Sequence, residues 1–119
     1  MTAFSTIEAT TDGPGLPTKC TEGFSSSFVN DVWYHYVADC TGTVTVSTCD
    51  DADFDTRLAA YTGPCPVTNE EIVGCNDDGD GCGGFTSIMQ FAATKAVDYK
   101  LRIGGFGGSG TGNLTISCE

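Results

Sequence analysis

Basic side chains are scarce in this sequence. Five lysines and arginines face sixteen aspartates and glutamates, for a formal net charge of −11 over 119 residues. A nucleic-acid binder needs a basic patch to displace counterions from phosphates, and this chain cannot assemble one. An anionic membrane surface would repel it. Long apolar runs are also missing, and nothing approaches the roughly 20 apolar residues that span a bilayer. The opening segment Met1–Lys19 has neither a basic start nor an apolar core, so it does not read as a signal peptide. Histidine occurs once, at His35, no Gly-x-Ser-x-Gly elbow is present, and no two cysteines stand in Cys-x-x-Cys spacing. These absences argue against serine-hydrolase, zinc-ribbon and thioredoxin-like chemistry. Stretches rich in Ala, Leu, Glu and Lys, which build helices, are lacking too.

What the chain does hold is glycine, cysteine and β-formers. Sixteen glycines punctuate short runs of Val, Ile, Thr, Tyr and Phe. Residues 31–38 carry the aromatic and β-branched run Val32–Val37, centred on Trp33 and Tyr34. Residues 43–48 alternate strictly, with Val44 and Val46 opposed to Thr43, Thr45 and Ser47. Residues 58–61, 72–75 and 87–91 are shorter candidates. Residues 98–103 place Tyr99, Leu101 and Ile103 on one face and Asp98, Lys100 and Arg102 on the other, and residues 113–118 alternate again. The glycine run 104–112 reads as a loop between the last two strands, because a phosphate-cradling loop would be followed by a helix. Strands at this spacing predict an all-β, antiparallel two-sheet sandwich covering residues 20–119.

Residues 1–19 differ from this body. They hold Thr2, Thr6, Thr10, Thr11 and Thr18 and the turn-rich run from Asp12 to Pro17. They predict either a loose linker or an extended N-terminal arm, packed on its own domain or on a neighbouring copy.

The seven cysteines, Cys20, Cys40, Cys49, Cys65, Cys75, Cys82 and Cys118, suit disulfides in an oxidising compartment, hence an extracellular or cell-surface protein. The odd number leaves one unpaired or paired between chains. A Cys65–Cys75 bridge across a short hairpin-like span is the expected pair.

Carboxylates cluster in two windows. Asp50, Asp51, Asp53 and Asp55 form the first; Asn76, Asp77, Asp78 and Asp80 form the second. Calcium accepts six to eight oxygens from such loops, so Asp53, Asp55, Asn76, Asp77, Asp78 and Asp80 are candidate ligands. Neither window fits the EF-hand pattern, and solvated acidic turns are the competing reading. His35, inside a strand, reads as a packed or edge residue rather than a general base. Tyr61 and Phe106 are the aromatics most open to a sugar-stacking role, the others being needed for the core. Asn113-Leu114-Thr115 is a glycosylation sequon, and the Thr-rich arm could carry O-linked sugar.

The segments Asp31-Val32-Trp33-Tyr34-His35-Tyr36 and Cys40–Cys49 resemble bacterial pre-peptidase C-terminal domains, in a cysteine-rich form found in large secreted proteins. So do Phe54-Asp55-Thr56-Arg57-Leu58, Tyr61-Thr62-Gly63, Cys75-Asn76-Asp77-Asp78, Tyr99–Gly105 and Gly112–Ile116. The resemblance covers residues 20–118. It implies a jelly-roll-like sandwich that is not itself catalytic and sits beside secreted hydrolases or in surface proteins. Some such modules bind calcium, and some attach the parent protein to a substrate. It points to Asp55 and the Asn76–Asp78 loop as the place for a cation or a structural turn.

Two functional expectations follow. In the first, the chain is a structural subunit that joins copies of itself head to tail into fibres, residues 1–19 adding a strand to a neighbour's sheet. In the second, it is a calcium-stabilised accessory domain of a secreted hydrolase that binds glycans or extracellular protein.

Overall fold

The computed structural model describes residues 2–21, 25–64 and 66–119. Eight strands run β1 (Thr2–Ser5), β2 (Val29–Val37), β3 (Gly42–Ser47), β4 (Thr56–Thr62), β5 (Ile72–Asn76), β6 (Ile88–Ala93), β7 (Asp98–Gly105) and β8 (Thr111–Cys118). They form two four-stranded sheets, ordered β1-β8-β3-β6 and β2-β7-β4-β5, with antiparallel pairing throughout. The chain changes sheet at every connection except the β4–β5 hairpin. This is the jelly-roll arrangement, and it places strands distant in sequence side by side.

Alternation explains the inner faces. Val44, Val46, Leu58, Ala60, Phe91, Leu101, Ile103 and Leu114 are buried between the sheets with Phe4, Met89 and Tyr99. Burying each large apolar side chain contributes about 1.5–3 kcal/mol. The outward residues of the first sheet are Ala3 and Ser5 on β1, Thr111, Asn113, Thr115 and Ser117 on β8, Thr43, Thr45 and Ser47 on β3, and Ile88, Gln90 and Ala92 on β6.

The outer face of the second sheet is covered, which period-2 patterning alone does not indicate. Residues 9–21 run across it. They contribute Leu16 and Cys20 to a second apolar cluster with Phe28, Ala59, Tyr61 and Val67, flanked by Trp33 and Ile72. As a result β4 is buried on both faces from Thr56 to Tyr61. Tyr61 is fully buried, which overturns its expected role as an exposed stacking residue. Arg102, expected on a solvated face, is fully buried as well.

Arg102 is accommodated by its partners. Its Nε donates to Asp31 Oδ2 at 2.5 Å and its Nη1 to Pro14 O at 2.6 Å and Tyr61 Oη at 3.1 Å. Its guanidinium lies 3.9 Å from the Phe28 ring centroid. Sequence creates the space: small Ala59 lies across from Arg102 on β4, and Gly104, two residues on, meets Phe28 where a Cβ would come within 2.7 Å. A bulge in β2 between Val29 and Val32 sets Asp31 in place. At that bulge Asn30 takes φ +52°, and its side-chain Nδ2 donates to Ala9 O at 2.7 Å. Asparagine tolerates this conformation better than most residues.

Three disulfides tie these layers: Cys20–Cys75, Cys40–Cys118 and Cys49–Cys82, with Cα separations of 5.8, 6.0 and 5.0 Å. The Cys20–Cys75 bridge replaces the expected Cys65–Cys75 pair. Cys75 stands on β5 opposite Ala59, on the face that residues 9–21 cover, so the covering segment supplies its partner. Cys65 lies outside the described residues.

β1 pairs with β8 of its own chain, from Thr2 opposite Leu114 to Ser5 opposite Thr111. The N-terminal segment is therefore integral to the sandwich: Thr6 bonds to Gly110, Thr10 to Asp31, and Leu16 to Ser26. Only the turn after β1 is unusual, with Ile7 exposed and Glu8 at φ +65°.

Candidate functional site

The acidic windows converge at one end of the sandwich, where the β3–β4, β5–β6 and β7–β8 connections meet. Each window owes its shape to turn chemistry. Asp50 Oδ1 accepts from Gly83 N at 2.6 Å; Asp53 Oδ1 and Oδ2 accept from Thr111 N and Oγ1 at 2.7 and 3.1 Å. Asp51 accepts from Asn113 Nδ2 at 3.1 Å, and Asn76 Oδ1 accepts from Ile88 N at 3.1 Å. These four side chains therefore brace loops. Asp80 is exposed on its turn.

Three of the six candidate ligands come together. A carboxylate oxygen from each of Asp55, Asp77 and Asp78 lies within 4.8 Å of the others. They line a hollow of about 260 Å³ with Phe85 and Phe106. Asp77 is almost fully buried and receives Arg57 in a two-pronged pair, Nε to Oδ1 and Nη2 to Oδ2, each at 3.0 Å. Arg57 Nη1 donates further to Ser25 O and Ser27 O, and its guanidinium sits 4.6 Å from the Phe106 ring centroid. Two-pronged geometry of this kind is the strong form of the pair. Asp55 is half-buried, and its Oδ1 is shielded from solvent without a hydrogen-bond partner. Burial first, then the charges of Asp78 and Asp77, push its carboxyl up to about 6, with Arg57 pulling the other way. Chemically the hollow is an oxygen-rich site short of positive charge.

The remaining candidates are dispersed. His35 stands on the edge strand β2, more than half exposed, paired with Asp98 on β7. Ser87 is fully buried among Thr48, Thr56 and the Asp77 carbonyl, with no imidazole beside it. Asn113, the sequon residue, is half-buried with its amide engaged by Asp51. Phe106 carries the guanidinium of Arg57 against its ring. An apolar hollow of about 310 Å³ lies elsewhere, lined by Asp12, Gly13, Trp33, Pro66 and Val67.

The functional groups that sequence reasoning missed are the two arginines. A signal existed: of the five bases in the chain, three fall inside strands, at Arg57 beside Leu58, Lys100 between Tyr99 and Leu101, and Arg102 between Leu101 and Ile103, and the two arginines among them are fully buried. Charges so placed are buried only when paired.

Among the described residues, no helix is long and apolar enough to cross a membrane. Comparison with known protein families, with curated proteins and with solved structures found no match.

Proposed function

We propose that this chain is a non-catalytic structural module of the cell exterior that assembles with copies of itself, on a sandwich of the pre-peptidase C-terminal type. The observation that carries the reading is β1. It is a four-residue edge strand, set apart from the rest of the chain by the turn at Ile7–Glu8. A short strand on such a hinge can leave its own β8 and complete the β8 edge of a neighbour in the same register, and contacts of that kind propagate head to tail. The exchange is confined to β1, because residues 9–21 are held by Asp31, Arg102 and the Cys20–Cys75 bridge. Three disulfides support an oxidising compartment. The exposed edge position of His35 and the buried, imidazole-free setting of Ser87 support a non-catalytic role.

The test locks β1 in place. Ala3 and Asn113 are cross-strand partners, so Ala3→Cys with Asn113→Cys joins β1 to its own β8. Particle mass by light scattering in dilute solution, with negative-stain imaging, should show oligomers or filaments for the parent and monomer for the locked variant. A monomeric parent, or assemblies that persist unchanged in the locked variant, would reject strand exchange.

A second reading is favoured by Asp55. An oxygen shielded from solvent yet unpartnered, beside two more carboxylates, suits a hard cation. In that reading calcium sits at Asp55, Asp77 and Asp78, with backbone oxygens and water completing its shell. The chain then serves as an accessory domain for a glycan or an extracellular protein, and the Trp33 hollow offers the ligand surface. Without calcium, Asp55 titrates at about 6 in the folded chain against an ordinary 3.8. Its raised value favours folding below pH 3.8, and that contribution is lost as pH rises through about 6. Asp55→Asn should therefore stabilise the metal-free protein at pH 7 by about 1 kcal/mol, after discounting for solvent access, and change nothing near pH 3. With calcium bound the sign at pH 7 should reverse. Melting curves of parent and variant, with calcium and with chelator, read both effects, and curves indifferent to calcium would reject the cation site.

A further inference from the structure

The two outer faces of the sandwich are treated differently. That of the second sheet is covered by residues 9–21, whereas that of the first is bare. None of its twelve outward positions carries an ionisable side chain, in a chain with sixteen acids and five bases. At its centre stand Thr43, Thr45 and Ser47 on β3, Thr115 and Ser117 on β8, and Gln90 on β6. Gln90 Nε2 donates to Thr45 Oγ1 at 3.0 Å, so these polar groups partly satisfy one another in the plane of the face. The nearest acids lie at the margins: Asp51 and Asp53 at one end, and Glu119, which borders a shallow hollow of about 330 Å³ with Thr43, Thr45, Gln90 and Ser117, at the other. A sheet face left to solvent is ordinarily studded with Lys, Glu and Asp, which also keep copies apart.

We infer that this face pairs with the same face of a second copy, two sheets stacking about a two-fold axis. The inference rests on the self-assembly reading and adds a lateral contact to the end-to-end one. Charge selects the occupant. Two chains of −11 each repel over most of their surfaces, whereas on this face they can approach with no carboxylate at any outward position. Short side chains select the geometry, since Thr, Ser and Ala allow two sheets to approach to the spacing of about 10 Å found within sandwiches. A glycan surface is less well served, because no aromatic ring lies on the face for a sugar to stack against. Four strands at about 4.8 Å spacing and three outward residues per strand give a patch of roughly 400 Å² per copy. A total near 800 Å² belongs to weak contacts, so dimerisation is expected at about 0.1–1 mM and would gain strength only through repetition along a fibre.

The experiment uses the β1-locked chain, in which strand exchange cannot contribute and whose bridge changes the face only at Ala3 and Asn113, on its β1 side and outside the central group of Thr45 and Ser117, and follows sedimentation equilibrium at rising concentration. That chain should dimerise, and more readily at high salt, where repulsion between acidic copies is screened. Thr45→Glu with Ser117→Glu should weaken dimerisation at least about tenfold. Val37→Glu with Val97→Glu adds the same charge at exposed positions at the end of β2 and in the β6–β7 connection, away from this face, and should leave it unchanged. Circular dichroism and melting temperature confirm that each variant is folded. A locked chain that stays monomeric throughout, or two variants weakened alike, would overturn face pairing. Filaments formed by the unlocked parent would be untouched by that result, so the two proposals fail separately. Dimers displaced by a soluble glycan would likewise overturn the assignment of a second copy as the occupant.

Discussion

Replacing Asp31 by alanine should destabilise the protein by about 3–5 kcal/mol. Asp31 and Arg102 are both fully enclosed, and removal of the carboxylate strands a guanidinium that has no route to water. The loss is a substantial fraction of the 5–15 kcal/mol that typically separates folded from unfolded states. Asp31 also accepts from Asp12 N at 2.9 Å, so the variant loosens the segment that seals the second cluster. Urea unfolding followed by tryptophan fluorescence reads the effect, because Trp33 lies against Arg102. Removing both charges, with Asp31→Leu and Arg102→Met, should restore most of the loss, since paired apolar replacements spare the desolvation cost. A single variant within about 1 kcal/mol of the parent would show that the pair is not buried as described.

Removing the Cys40–Cys118 bridge, with Cys40→Ser and Cys118→Ser, should cost about 4 kcal/mol. The bridge closes 78 residues, the longest loop of the three, and cross-links that close long loops restrict the unfolded chain most. The folded state should change little, because Thr43 and Glu119 still exchange backbone hydrogen bonds at 2.8 and 2.9 Å beside it. Denaturant midpoints of parent and variant give the difference. The variant should also respond less to reductant than the parent. Equal midpoints in oxidising buffer would mean that the two cysteines are not joined.

Much of the sandwich is legible in the sequence because each strand reports one local property, a period of two. Val44 and Val46 against Thr43, Thr45 and Ser47 suffice to orient β3. The same rule assigns Arg102 to a wet face, since alternation says which way a side chain points and not what lies over it. Its cover comes from Pro14, 88 residues away, and no local pattern carries that distance. Tyr61 is misplaced for the same reason. The Cys20–Cys75 pairing depends on that covering segment too, so a hairpin guess for Cys75 selects the wrong partner. The acidic hollow is half legible. Two windows of aspartates stand out, but which of them meet depends on how separate loops converge. Asp53 and Asn76 are spent on Thr111 and Ile88, while Asp55, Asp77 and Asp78 are brought together.

The disulfides also determine how the module would behave under tension. Pulled at Cys20 and Cys118, the chain transmits force through its three bridges in series: Cys20 to Cys75, along residues 75–82 to Cys49, back along residues 49–40, and across to Cys118. The covalent path between those points is only about 75 Å when taut, against well over 300 Å for the unbridged backbone. Strands can part from one another, but the module cannot lengthen far. A row of such units would act as a tether of nearly fixed reach, giving way first at β1, which lies outside the bridged path.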